Sequence, residues 1–142
     1  MRAHRAARER AACATYELPP AEVSAGRARQ LTTDFLTRGC TEQVEPAQVE
    51  DVALVVSELV TNATRHANSG CRLRLHVDPG RVTVEVADDS PIPPQLRAPQ
   101  ESDESGRGIA LVRQLARNFR VLRGPGGGKT IQAVLAASCK PS

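Results

Sequence analysis

At Asn68-Ser69-Gly70 the spacing of apolar residues changes from about 3.6 to about 2, and that change divides the chain between a helix and a hairpin. Upstream, Val49, Val52, Ala53, Val56, Leu59, Val60, Ala63 and Ala67 fall on one face of a helix that opens near Pro46, a residue tolerated at the first helical position. Downstream, Leu73, Leu75 and Val77 alternate with Arg72, Arg74 and His76. Asp78-Pro79-Gly80 turns the chain, and Val82, Val84 and Val86 return, so residues 71–87 form an antiparallel hairpin with one apolar face. A one-sided helix and a one-sided sheet bury each other. The α+β class, as a two-layer α/β sandwich, follows.

The other segments extend this pattern. Thr15 to Leu18 reads as a short strand; Pro19-Pro20 stops it and opens a helix to Arg38, with Ala28, Leu31, Phe35 and Leu36 inward and Gly39 as a left-handed cap. From Asp88 to Ser105 the sequence turns to Pro, Asp, Ser and Gln, and Pro91, Pro93, Pro94 and Pro99 exclude regular pairing, so this stretch reads as a lid. A third helix over Gly108 to Asn118 carries Ile109, Leu111, Val112 and Leu115. A strand begins at Phe119, Gly124 to Gly128 turns it, and a last strand, Lys129 to Ala136, sets Ile131, Ala133 and Leu135 on one face. The expected sheet is mixed, mainly antiparallel, and covered by helices on one face. The folded domain is placed at 15–137, between a basic arm, 1–14, and a short tail, 138–142.

With 142 residues, 40% hydrophobic and 25% charged, the chain suits one globular domain. Aromatics are 2%, which leaves few platforms for stacking nucleic-acid bases. The net charge of +3 comes partly from Arg2, Arg5, Arg8 and Arg10, with no helix-turn-helix pattern after them, so nucleic acid is not the expected partner. No signal-peptide core and no membrane-length apolar run is present, and a cytoplasmic location is expected. Cys13, Cys40, Cys71 and Cys139 form no CxxC pair and read as buried hydrophobes or free thiols.

Four places carry chemistry. Glu58 and Asn62, four apart on the second helix, share one side. A carboxylate beside an amide can act as a base and as a magnesium ligand, although on spacing alone the pair reads as a solvated helix face. Asp88 stands where a strand opens into the lid; its carboxylate can accept from an exocyclic amine of a base, or start an Asp-Ser-Pro turn. Gly106-Arg107-Gly108-Ile109 precedes a helix, where bare N–H groups favour a phosphate. Gly124 to Thr130 lacks the first glycine of a P-loop, because position 123 is Arg123, and it precedes a strand instead of a helix.

In this order and spacing the four places resemble the GHKL ATPases, the group of gyrase, histidine kinases and MutL. Glu58-Leu59-Val60-Thr61-Asn62-Ala63 with His66-Ala67 is similar to their N box, Asp88 to Pro94 to the G1 box, Gly106 to Ile109 to the G2 box, and Gly128 to Thr130 to the G-T box. The likeness runs from Thr15 to Ala136, and its stand-alone form resembles the anti-sigma-factor serine/threonine kinases. It implies the Bergerat ATP-binding fold with ATP and Mg²⁺ as cofactors. It implies Glu58 as catalytic base, Asn62 as magnesium ligand, Asp88 as adenine reader, and Gly106 and Gly108 beside the phosphates. Thr130 would support the adenine end, Arg107 would touch phosphate or partner, and Arg65, His66, Ser90, Ile92 and Ile109 would belong to the nucleotide site. The implied partners are a sigma factor and an antagonist protein whose serine receives the γ-phosphoryl group, and the implied assembly is a homodimer. The rival reading is a nucleotide-binding or interaction module without phosphoryl transfer. One departure stands out: Ser90 and Ile92 occupy the glycine places of Asp-x-Gly-x-Gly, so strain is expected wherever that turn needs positive φ.

Overall fold

The computed structural model describes residues 12–39, 44–66, 69–90, 104–124 and 126–137, with His66 and 104–108 described by backbone alone. The arm up to Ala11, Cys40, the lid segment 91–103 with Ile92, and the tail from Ser138 with Cys139 lie outside the described residues.

Strand β1, Ala12–Leu18, begins three residues before the expected start. The small residues Ala12 and Ala14 give little alternating signal, but pairing to Val77 and Leu75 carries the strand through them. Helix α1, Val23–Asp34, starts after a turn in which the Ser24 hydroxyl donates to the Pro19 carbonyl at 2.6 Å. It widens into a π-type turn, Phe35–Gly39. The expected left-handed cap is absent, since Gly39 is not among the glycines with positive φ. The Phe35 ring explains the glycine: a Cβ there would come within 2.9 Å of Phe35 Cδ1.

Helix α2, Pro46–His66, lays Val52, Val56, Leu59, Val60 and Ala63 against the sheet and α1. Strands β2, Cys71–Asp78, and β3, Arg81–Asp88, form the hairpin around Pro79-Gly80. Helix α3, Glu104–Leu115, begins earlier than the expected Gly108 and packs on α2 and β5. Gly costs about 1 kcal/mol in a helix interior, which argues for a start after Gly108; burial of Ile109 and Val112 overrides that local preference. Strands β4, Asn118–Arg123, and β5, Lys129–Ala136, complete a sheet of order β1-β2-β3-β5-β4 in which every pairing is antiparallel.

One face of that sheet, through Leu73, Leu75, Val84, Val86, Ile131 and Leu135, meets the helices; the other carries Arg72, Arg74, Glu85 and Gln132. Among the described residues no helix is long and apolar enough to cross a membrane.

Candidate functional site

The sandwich has one chemically loaded end. Asp88 is the last residue of β3 and pairs across to Cys71, the first of β2, and to Lys129, the first of β5. Cross-strand partners share a sheet face, so the three stand in one row facing the helices, beyond the apolar rows of Val86 and Ile131. Helix α2 ends at His66, only a few residues before β2, which brings its last turns to this end. At the far end the Arg117 amide donates to the Val134 carbonyl at 2.7 Å and fixes the exit of α3. Twelve helical residues span about 18 Å, enough to return the start of α3 toward Asp88. The N-box turns, Asp88 and the G2 glycines therefore share one end of the molecule.

On α2, Asn62 is 3% exposed, and its Nδ2 has no hydrogen-bond partner among the described residues. It is thus more deeply set than the solvated face that the spacing allows. The amide sits at the edge of the apolar stripe, one turn after the half-buried Glu58, which is itself engaged in the structure. A buried donor without a partner is uncommon and costs about 1–3 kcal/mol, so a polar ligand at this position offsets a real penalty. An amide can offer its Oδ1 to Mg²⁺ or its N–H to a phosphate oxygen, so this residue fits the magnesium nucleotide that the motifs imply. Arg65 is exposed and engaged, and the His66 side chain lies outside the described residues.

The Asp88 carboxylate is held more tightly than a turn residue would be. Lys129 Nζ donates to Oδ1 at 2.9 Å and to Oδ2 at 3.0 Å, and the Ser90 amide donates to Oδ1 at 2.8 Å. The Asp88 and Lys129 side chains are 0% and 1% exposed. Asp88 thus both ends the strand and anchors an Asx turn. No non-glycine residue among those described has positive φ, so Ser90 sits in its glycine place without the expected strain, itself buried. Gly128 packs so closely against the end of β3 that a Cβ would overlap the Asp88 carbonyl oxygen. This contact gives the glycine before the last strand a packing role. The same row perturbs Cys71: burial, then the charges of Asp88 and Glu17, push its thiol up to about 11, which leaves it protonated at neutral pH.

Four motif residues are set differently from the motif reading. Thr130 pairs with Ala87 and Leu122 on the opposite face of the sheet, and the structure does not bring its side chain to Asp88. Gly106 and Gly108 lie within the first two turns of α3 instead of before it; helix geometry leaves open only the first few N–H groups, which include that of Gly106. Ile109 is 2% exposed and belongs to the hydrophobic core. The residue that the motif reading passed over is Lys129. The alternation Ile131, Ala133, Leu135 was its signal, since position 129 shares their parity and must point inward.

An antiparallel five-stranded sheet covered by helices, with a buried amide on the long helix and a buried acidic residue at a strand end, defines a two-layer α/β sandwich. Residues 18–135 match the family described as "Histidine kinase-like ATPase domain", and the chain belongs to that family. Among solved structures it is similar to the RsbU and RsbW domains of Rv1364c from Mycobacterium tuberculosis, at 19% identity and a TM-score of 0.66, over 92% of this chain and 34% of that one. It is also similar to the histidine kinase domain of a blue-light activated histidine kinase from Erythrobacter litoralis, at 29% identity and a TM-score of 0.53, over 86% and 67%. The SiaB-SiaC complex from Pseudomonas aeruginosa matches at 13% identity and a TM-score of 0.54, over 96% and 97%. This chain therefore spans about a third of the Rv1364c chain. No curated protein sequence matches it.

Proposed function

We propose that this domain binds Mg-ATP at the Asn62–Asp88 end of the sandwich and transfers the γ-phosphoryl group to a serine of an antagonist protein, alternating this with sequestration of a sigma factor. The observation that carries the reading is the buried Asn62 amide, whose Nδ2 has no partner among the described residues, one helical turn from Glu58. Bound Mg²⁺ would neutralise charge on the transferring phosphoryl group. Glu58 would take the proton of the serine hydroxyl as its oxygen bonds to the γ-phosphorus and the bond to the β–γ bridging oxygen breaks. Asn62 would hold the magnesium phosphate in line, and the amide of Gly106 would meet phosphate at the start of α3.

A second reading has its own support: a module that binds nucleotide and a protein partner without phosphoryl transfer. The Lys129 ammonium and the Ser90 amide already occupy the carboxylate proposed to read adenine. Calorimetric titration with ATP, with and without Mg²⁺, on wild type and Asn62→Ala separates the outcomes. Asn62→Ala removes an unsatisfied donor, so its urea midpoint should stay near that of wild type while Mg-dependent binding weakens at least about tenfold. Binding in wild type without consumption of the γ-phosphate on incubation with candidate antagonist proteins favours the module. Failure of the folded wild type to bind ATP refutes both.

A further inference from the structure

The sequence from Ser105 onward contains seven Lys or Arg and no Asp or Glu, although the whole chain carries only +3. The fold gathers four of these cations at one margin. Arg113 on α3, Arg117 in the connection, and Arg120 and Arg123 on β4 are all exposed. Among the described residues β4 is the last strand of the sheet, paired to β5 on one side only. Its backbone donors and acceptors on the other side form an open edge. Arg113 lies over the Phe119 ring at 5.8 Å from the centroid, and Arg117 and Arg120 have no ion pair within 4.0 Å among the described residues. Between the arginines, Val121 and Leu122 are each 37% exposed, one toward each face of the sheet.

We propose that the β4 edge docks an extended acidic segment of a partner protein, which adds as a sixth strand, with carboxylates opposite the arginines and apolar side chains over Val121 and Leu122. Three features select this occupant. The open edge supplies main-chain hydrogen bonds to any extended peptide, and alternation along an added strand gives each face its own side-chain readout. The arginine fork binds carboxylates with two parallel hydrogen bonds. A second copy of this edge would set arginines against arginines, and a phosphate backbone would leave Val121 and Leu122 without apolar partners. An arginine-rich edge thus blocks pairing with its own kind while staying open to an acidic strand.

The test is titration of the ¹⁵N-labelled full chain with a short synthetic peptide alternating Glu and Val, read by amide shifts and hydrogen exchange. The expected result is saturable shifts centred on Asn118 to Arg123, slowed exchange at alternate β4 amides, and affinity that falls with added salt. Arg117→Glu/Arg120→Glu should weaken binding at least about fivefold. Arg27→Glu/Arg29→Glu, an equal charge change on exposed positions of α1, should not. Absence of saturable shifts, shifts mapping away from β4, equal weakening by both reversals, or a short DNA duplex binding the same amides more tightly than the peptide each overturns the proposal.

Discussion

Replacing Lys129 by Met keeps the volume of the side chain and removes its charge, which isolates what the buried pair contributes. In the native structure Asp88 accepts three hydrogen bonds, two of them from Lys129 Nζ at 2.9 and 3.0 Å, with both side chains withdrawn from water. Lys129→Met leaves an ionised carboxylate with only the Ser90 amide in an environment that water does not reach. Breaking a buried pair by deleting one partner costs about 3–5 kcal/mol, because the other charge stays uncompensated. Small domains are stable by about 5–15 kcal/mol, so this single change removes a third or more of the total in a typical case. In urea, with a slope of about 1–3 kcal/mol per molar, the midpoint should fall by roughly 1–5 M, about 2 M at mid-range. Asp88→Asn should behave alike, leaving a buried ammonium. The double variant Asp88→Asn/Lys129→Met leaves no stranded charge and should recover most of the loss, a coupling of about 2 kcal/mol or more. A Lys129→Met midpoint within about 0.5 M of wild type, or additive losses in the double variant, would refute the argument. One corollary is practical: Asp88→Asn cannot serve as a clean probe of adenine recognition, because it unlatches the sheet end.

Two further outcomes follow from the same geometry. Thr130→Ala should leave ATP affinity within about twofold of wild type, since its side chain lies on the sheet face opposite Asp88; a tenfold loss by calorimetry would place the hydroxyl in the nucleotide site. Of the two free thiols described, exposed Cys13 should react with a maleimide in the folded state and buried Cys71 only on unfolding, as read by mass spectrometry. Because the folded state raises the Cys71 thiol from 9.0 to about 11, the native protein keeps a proton that the unfolded chain releases. The contribution of Cys71 to stability should therefore be constant below pH 9 and fall by on the order of 2 kcal/mol between pH 9 and 11, so that this part of the pH profile is lost in Cys71→Ala.

The elements with the strongest periodic signal were legible in the sequence. Helix α2 begins at Pro46, and the hairpin turns at Pro79-Gly80, because one apolar face at a single period leaves no competing arrangement. The places of Glu58, Asn62 and Asp88 on their elements were legible for the same reason: each sits at a position fixed by an element of unmistakable period. The misses arose where tertiary contact outweighs local preference. Glycines at 106 and 108 argue against helix, yet Ile109 and Val112 bury the turns that contain them. Gly39 resembles a left-handed cap, but it is there to make room for the Phe35 ring. The depth of Asn62 was not legible, because the spacing of Glu58 and Asn62 sets their common side but not what α3 and the sheet end place beside them.

Lys129 changes what the G1 departures mean. The sequence shows Ser90 as a loss from a glycine-rich nucleotide turn and gives Lys129 no connection to it. In the fold they act on one carboxylate, with the Ser90 amide on Oδ1 and the lysine on both oxygens. A carboxylate has about four lone-pair directions, and three are taken, so one acceptor position remains for a base amine. Asp88 has no exposed side-chain surface, and a base can reach that position only if a neighbour moves. Under the proposed function, nucleotide reading and the integrity of this sheet end would be coupled through a single residue. The coupling predicts that ATP binding slows hydrogen exchange around Ser90 or leaves it unchanged if the pair persists, and speeds it if the base displaces Lys129.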